Sequence, residues 1–143
     1  MDLDHNADAD DAAETRRTRV PSSPLAPRQA RRWLGWLEHY LSPDRLDSAR
    51  LMVSELVSNS VMHAGLAEGD TIHVMARADD ARVRIIVCDC GRGFELEGRP
   101  TRPPPHVHGG LGLWMVDQLA DSLKLDGPKG RVSFELDRGT AAR

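Results

Sequence analysis

Between Thr71 and Asp89 the chain alternates apolar and polar side chains twice, and this restricts the fold more than any other feature. In Thr71–Ala78, Ile72, Val74 and Ala76 fall on one side, with His73, Met75 and Arg77 on the other. In Arg82–Asp89, Val83, Ile85 and Val87 again share a side. Ala78-Asp79-Asp80-Ala81 reads as the turn between two strands. A hairpin with one apolar face is marginal in water by itself, so other elements must cover that face.

Helices supply the cover. From Ala26 to Leu41, Ala30, Trp33, Leu34, Leu37 and Leu41 recur at helical spacing, and Pro27 suits a first turn. Ser42-Pro43-Asp44 ends that helix and starts a second, over Asp44–His63. Leu46, Ala49, Val53, Leu56, Val57 and Ser60 are spaced there to face a core, and Ala64-Gly65 marks the stop. Prolines and a glycine keep Glu95–His108 a loop. A third helix is predicted over Leu111–Ser122, then a hairpin of Leu123–Leu125 and Val132–Leu136 around Gly127-Pro128-Lys129-Gly130. This order predicts an α+β two-layer sandwich, a mixed β-sheet covered on one face by helices. The other face would be more polar, with His73, Arg77, Arg82 and Arg84.

The chain has 143 residues, room for one domain with a real core. Its formal net charge of −3 gives no bulk reason to expect direct nucleic-acid binding. No apolar run approaches the roughly 20 residues that span a membrane. The first residues are acidic and lack the parts of a signal peptide. Cys88 and Cys90, one residue apart, cannot staple distant segments. A reducing cytoplasmic setting is expected. Residues 1–20 are expected to form a disordered acidic tail ending in a basic cluster, Arg16, Arg17 and Arg19, with the domain over 21–143. The alternative is an edge strand around Thr15–Val20 that could also serve a dimer contact.

Three short motifs carry the chemistry. Glu55, Asn59 and His63 repeat every fourth residue and share one stripe of the second helix. The plain reading is a solvent-facing stripe. The functional one is a magnesium and phosphate face: Asn59 offers a neutral oxygen ligand, and Glu55 can take a proton from an attacking hydroxyl or water. Asp89-Cys90-Gly91-Arg92-Gly93 follows a strand. It is either an ordinary turn or a carboxylate that accepts from adenine's amino group, with glycines that let backbone approach the flat base. Gly109-Gly110-Leu111-Gly112-Leu113 opens the third helix, where unsatisfied N–H groups can hold phosphate oxygens. Neither a Walker lysine motif nor a Rossmann glycine fingerprint is present.

In this order the motifs resemble the N, G1 and G2 boxes of the GHKL superfamily, with its Bergerat ATP-binding fold. The segments Arg50–Gly65 and Gly109–Ala120 are most similar to the compact anti-sigma-factor serine/threonine kinases, and the likeness spans roughly Leu25–Leu136. The resemblance implies ATP and Mg2+ as cofactors, Glu55 as base and Asn59 as magnesium ligand. It also implies Asp89 as adenine reader, Gly91 and Gly93 in the adenine pocket, and Gly110, Leu111, Gly112 and Leu113 on the phosphate side. Implied partners are a sigma factor and an anti-anti-sigma (STAS-type) protein, with a possible homodimer. Relatives usually carry Gly-Thr before the last strand, with its hydroxyl near the adenine carboxylate, where this chain has Lys129-Gly130-Arg131-Val132. Arg99 or Arg102 could reach a phosphate.

Cys88, Cys90, His106 and His108 are too closely spaced for an ordinary zinc site. Trp36, off the main apolar stripe, is either partly buried at a helix edge or a contact surface. Three functions compete: a serine/threonine kinase of the anti-sigma type, a non-catalytic ATP-gated binding regulator, and the detached catalytic half of a histidine kinase. The third would need a phosphoacceptor histidine. His39 is the candidate, and an isolated histidine there reads more simply as surface decoration.

Overall fold

The structure is a computed structural model that describes residues 13–63, 66, 67, 69–89 and 111–139. Five strands form one sheet in the order β1-β2-β3-β5-β4: β1 Glu14–Pro21, β2 Thr71–Ala78, β3 Arg82–Cys88, β4 Ser122–Asp126 and β5 Arg131–Asp137. Three helices, α1 Ala26–Trp33, α2 Pro43–His63 and α3 Leu111–Leu119, complete the α+β fold.

The central hairpin forms as its alternation predicts. Ile72, Val74, Ala76, Val83, Ile85 and Val87 are all buried. The turn is held by Asp79, whose Oδ1 accepts from the backbone N–H of Ala81 and Arg82, each at 2.8 Å. Those N–H groups, Arg82's first, hold the Asp79 carboxyl below its ordinary range.

The helical layer starts from local signals. Pro27 lies in the first turn of α1. Ser42 caps α2 by accepting from Arg45 N–H at 3.3 Å, and Pro43 follows it. Met52, Val53 and Val57 of α2 then pack in one core with Phe134 and Leu136 of β5.

Several expectations are corrected. The first helix does not run unbroken to Leu41: after Trp33 it tightens into a 3-10 helix, Leu34–His39. Gly35 weakens the α form there, and three-residue turns set Leu34 directly above Leu37, both fully buried. The third helix ends at Leu119, before Ser122 starts β4. The sheet is antiparallel in every pairing rather than mixed. α3 and β4 return the chain alongside β3, but β5 lies between those two strands and runs against both.

The basic cluster is a strand at the sheet edge, the alternative reading of Thr15–Val20. β1 pairs with β2 along its whole length, from Glu14 opposite Ala78 to Pro21 opposite Thr71. The folded part therefore starts before residue 21. Composition does not mark this strand, because only Val20 of β1 is buried. On the helical side β1 is clamped by polar and aromatic groups. Tyr40 donates its hydroxyl hydrogen to Glu14 Oε1 at 2.7 Å, and Arg16 pairs with Glu14 and lies 4.7 Å over the Trp36 ring. Trp36 stands edge-on to Trp33 and Tyr40, at 6.2 and 5.9 Å between ring centres. Partial burial is the reading of Trp36 that these contacts support.

Candidate nucleotide site

α2 joins two halves of a site. Ser54, Leu56, Val57 and Ser60 turn inward, which leaves Glu55 and Asn59 half-buried at its margin. The start of α3 lies against them. A Cβ added at Gly112 would sit 3.1 Å from Asn59 Nδ2, 3.2 Å from Glu55 Cβ and 3.4 Å from Glu55 Oε2. Glycine is thus the residue that lets the first turn of α3 approach the acid and the amide this closely. Leu113, the next residue, packs against the core and fixes the helix over that stripe.

One residue beyond Asn59, α2 reaches the second half. Ser60 is buried and donates its hydroxyl hydrogen to Asp89 Oδ2 at 3.0 Å. A buried hydroxyl needs a partner, and the carboxylate just past β3 provides one. The Asp89 N–H donates to the carbonyl of Gly130 at 3.2 Å, so the turn before β5 also holds this residue. Gly130 has φ +61°, which fits the tight turn closed by its own N–H on Gly127 at 3.0 Å.

The arrangement brings together Glu55, Asn59 and Gly112, and separately Asp89 with Ser60. Leu111 opens α3. Gly91, Gly93 and Gly110 lie outside the described residues, as do Arg99, Arg102, Cys90, His106 and His108. Among the described residues no group of three or more His, Cys, Asp or Glu could hold a metal ion. His39 is exposed beside Glu38, at 3.9 Å, as surface decoration would be.

Two contributors were missed from sequence. Ser60 was read as a core position because it lies on the apolar stripe. The signal was a hydroxyl at a buried position, which demands an acceptor. Arg31 lies off the apolar stripe of Ala30, Trp33, Leu34 and Leu37. It reaches across to α2 and donates to Ser54 Oγ at 2.6 Å, one residue before Glu55 in the sequence.

A residue set of this kind can hold a purine by its amino group at Asp89, and a charged phosphate chain between α2 and the start of α3. Asn59 offers an oxygen suited to a hard cation that also takes phosphate and water ligands. Both ends fit ATP with magnesium. No helix among the described residues is long and apolar enough to cross a membrane.

Residues 20–134 match the model of the histidine kinase-like ATPase domain. An anti-sigma F factor of Clostridium acetobutylicum is 27% identical over 93 residues, covering 62% of this chain and 65% of that protein. A serine-protein kinase RsbW of Listeria monocytogenes is 33% identical over 96 residues, covering 59% of this chain and 60% of that protein. The match thus spans under two thirds of either relative's length. A crystal structure of RsbU and RsbW domains from Mycobacterium tuberculosis superposes with a TM-score of 0.61 at 20% identity, covering 87% of this chain and 31% of that one. That likeness is one of fold.

Proposed function

The chain belongs to the histidine kinase-like ATPase domain family, and from that premise we propose that it is an ATP-dependent serine/threonine protein kinase of the anti-sigma type. It sequesters a sigma factor and phosphorylates a serine on an anti-anti-sigma (STAS-type) partner. The names of its relatives, an anti-sigma factor and a serine-protein kinase, support this reading. The observation that supports it is the close seat of Gly112 on Glu55 and Asn59, a carboxylate and an amide beside a helix start.

Bound ATP with magnesium supplies the transferable γ-phosphoryl group. Asp89, steadied by Ser60, selects the base by accepting from its amino group. Asn59 would hold the magnesium through its amide oxygen. Backbone N–H groups at the start of α3 hold phosphate oxygens. Glu55 orients the incoming serine hydroxyl and accepts its proton as the oxygen bonds to phosphorus and the bond to the leaving ADP oxygen breaks. Gly91, Gly93 and Gly110 belong to this site in the proposal, as do the backbone groups of Leu111 and Leu113. The protein works in the cytoplasm, as a homodimer.

The test is transfer of labelled γ-phosphate to STAS-type partners. Glu55→Gln keeps ATP binding and lowers transfer by about a hundredfold or more. Transfer by the Glu55→Gln chain at the wild-type rate would refute Glu55 as the base. Tight ATP binding by the wild type with no transfer to any such partner would instead favour the non-catalytic, ATP-gated regulator.

A further inference from the structure

The stripe that carries Glu55 and Asn59 continues beyond them. Asp47, Leu51, Glu55 and Asn59 recur every fourth residue of α2 and share one side of it. The start of α3 closes over Glu55 and Asn59 at Gly112, and Arg31 of α1 meets α2 at Ser54. Past Glu55 the stripe is open: Leu51 is 44% exposed, and Asp47 is exposed too. Among the described residues, Leu25 and Met62 are the other exposed large apolar side chains. Leu25 caps α1, and Met62 follows Ser60 at the end of α2 that meets Asp89. Of the three, only Leu51 lies on the stripe at the side of Glu55 away from Asp89.

This open end is acidic. Asp44 and Asp47 are exposed, and among the described residues neither has an ion pair. The two arginines of α2 turn elsewhere, Arg45 to Asp121 at 3.5 Å and Arg50 to the carbonyl of Arg31 at 3.4 Å. Asp44 lies in the first turn of α2, where a carboxylate suits the helix start. Asp47 lies beyond that turn and has no such role.

Phosphoryl transfer sets the attacking and leaving oxygens roughly in line. In the kinase reading above, on which this inference rests, adenine sits at Asp89 and ADP leaves toward that end. The acceptor hydroxyl then arrives from the opposite end of the stripe, over Leu51. A helix rises about 1.5 Å per residue, so Leu51 and Asp47 lie about 6 and about 12 Å from Glu55 along α2. An extended chain advances about 3.3 Å per residue, so these spans match about two and about four residues of an acceptor. Residues two and four places from a serine share its side in an extended segment.

We propose that Leu51 and Asp47 dock the acceptor. They select a serine on an extended segment that carries an apolar side chain two residues away and a lysine or arginine four residues away. The serine stands at Glu55, the apolar side chain covers Leu51, and the cation faces Asp47. An acidic segment is repelled by Asp44, Asp47 and Glu55 together.

The test uses the full chain, labelled ATP with magnesium, and purified STAS-type proteins as acceptors. Leu51→Gln, which keeps a good helix former, raises the KM for the acceptor about tenfold, roughly what burying a half-exposed leucine contributes. Its kcat and its calorimetric ATP affinity stay at wild-type values. Asp47→Lys raises the KM as well. Exchanging the acceptor's cation, four residues from the phosphorylated serine, for glutamate restores transfer by the Asp47→Lys chain, a rescue that a purely structural role for Asp47 does not give. Wild-type KM in both variants would overturn the proposal and leave the kinase reading standing. Weakened ATP binding in Leu51→Gln would assign Leu51 to the nucleotide and overturn it too. Absence of transfer by the wild type to every such acceptor would overturn the kinase reading and this inference with it.

Discussion

Replacing Gly112 with alanine separates a tight nucleotide site from an ordinary helix packing contact. In an unconstrained helix, alanine for glycine gains about 1 kcal/mol. Here the new Cβ meets Asn59 Nδ2 at 3.1 Å and Glu55 Cβ at 3.2 Å, so α2 and α3 must part by a few tenths of an ångström. Overpacking of this kind costs about 1–3 kcal/mol. The two effects leave stability between unchanged and about 2 kcal/mol lower, or a Tm drop of up to about 8 °C for a chain of this size. ATP affinity falls as well, because the N–H groups at the start of α3 move away from the Glu55–Asn59 stripe. A loss of tenfold or more, about 1.4 kcal/mol, is expected. Calorimetric titration with magnesium and ATP reads the affinity, and scanning calorimetry reads the Tm. A Gly112→Ala chain that melts several degrees higher and binds ATP as the wild type does would refute the reasoning, since α3 would then have room to spare.

Gly139 has φ +80°, and a Cβ there would lie 2.5 Å from Ser42 Oγ and 2.8 Å from Arg45 Cγ, against the cap of α2. Gly139→Ala should lower stability by about 2 kcal/mol in denaturant titration while leaving ATP affinity unchanged. The β1 clamp gives a pH signature. The Tyr40 hydroxyl, then Arg16, hold the Glu14 carboxyl below its ordinary range, and the hydrogen bond to Glu14 raises the Tyr40 hydroxyl above its own. The Glu14 contribution is present above the ordinary carboxylate range and is lost as pH falls through its lowered value. The Tyr40 contribution is present below the ordinary phenol range and is lost as pH rises through its raised value. Tyr40→Phe should therefore cost stability near neutral pH and cost less at both extremes, as pH-dependent melting would show.

The parts of the fold legible in the sequence were those fixed by local pattern. The β2–β3 alternation gave the buried face residue by residue, and Ser42-Pro43 marked the start of α2. What escaped depended on partners distant in sequence. β1, anticipated only as the edge-strand alternative for Thr15–Val20, is written in arginines and threonines, and what holds it is β2 on one side and Tyr40 and Trp36 on another. No periodicity in Thr15–Val20 announces those contacts. The 3-10 helix is a compromise between Gly35 and the need to bury Leu34 and Leu37 together, which helical spacing alone does not distinguish. At the site, the Glu55–Asn59 stripe was visible because four-residue spacing is local. Pairing Asp89 with Ser60 needed the third dimension. The resemblance pointed to a hydroxyl after the last glycine turn as the companion of Asp89, whereas Ser60 on α2 supplies one here.

The proposed function requires Asp89 and the α2–α3 contact to form one ATP site. Its most direct test is calorimetric ATP binding, with magnesium, to the wild type and to Asp89→Asn. Saturable binding at one site per chain is expected, reduced about tenfold or more in Asp89→Asn, because the amide places a donor where the base also donates. Binding unaffected by Asp89→Asn, or a folded wild type that binds no ATP, would contradict it.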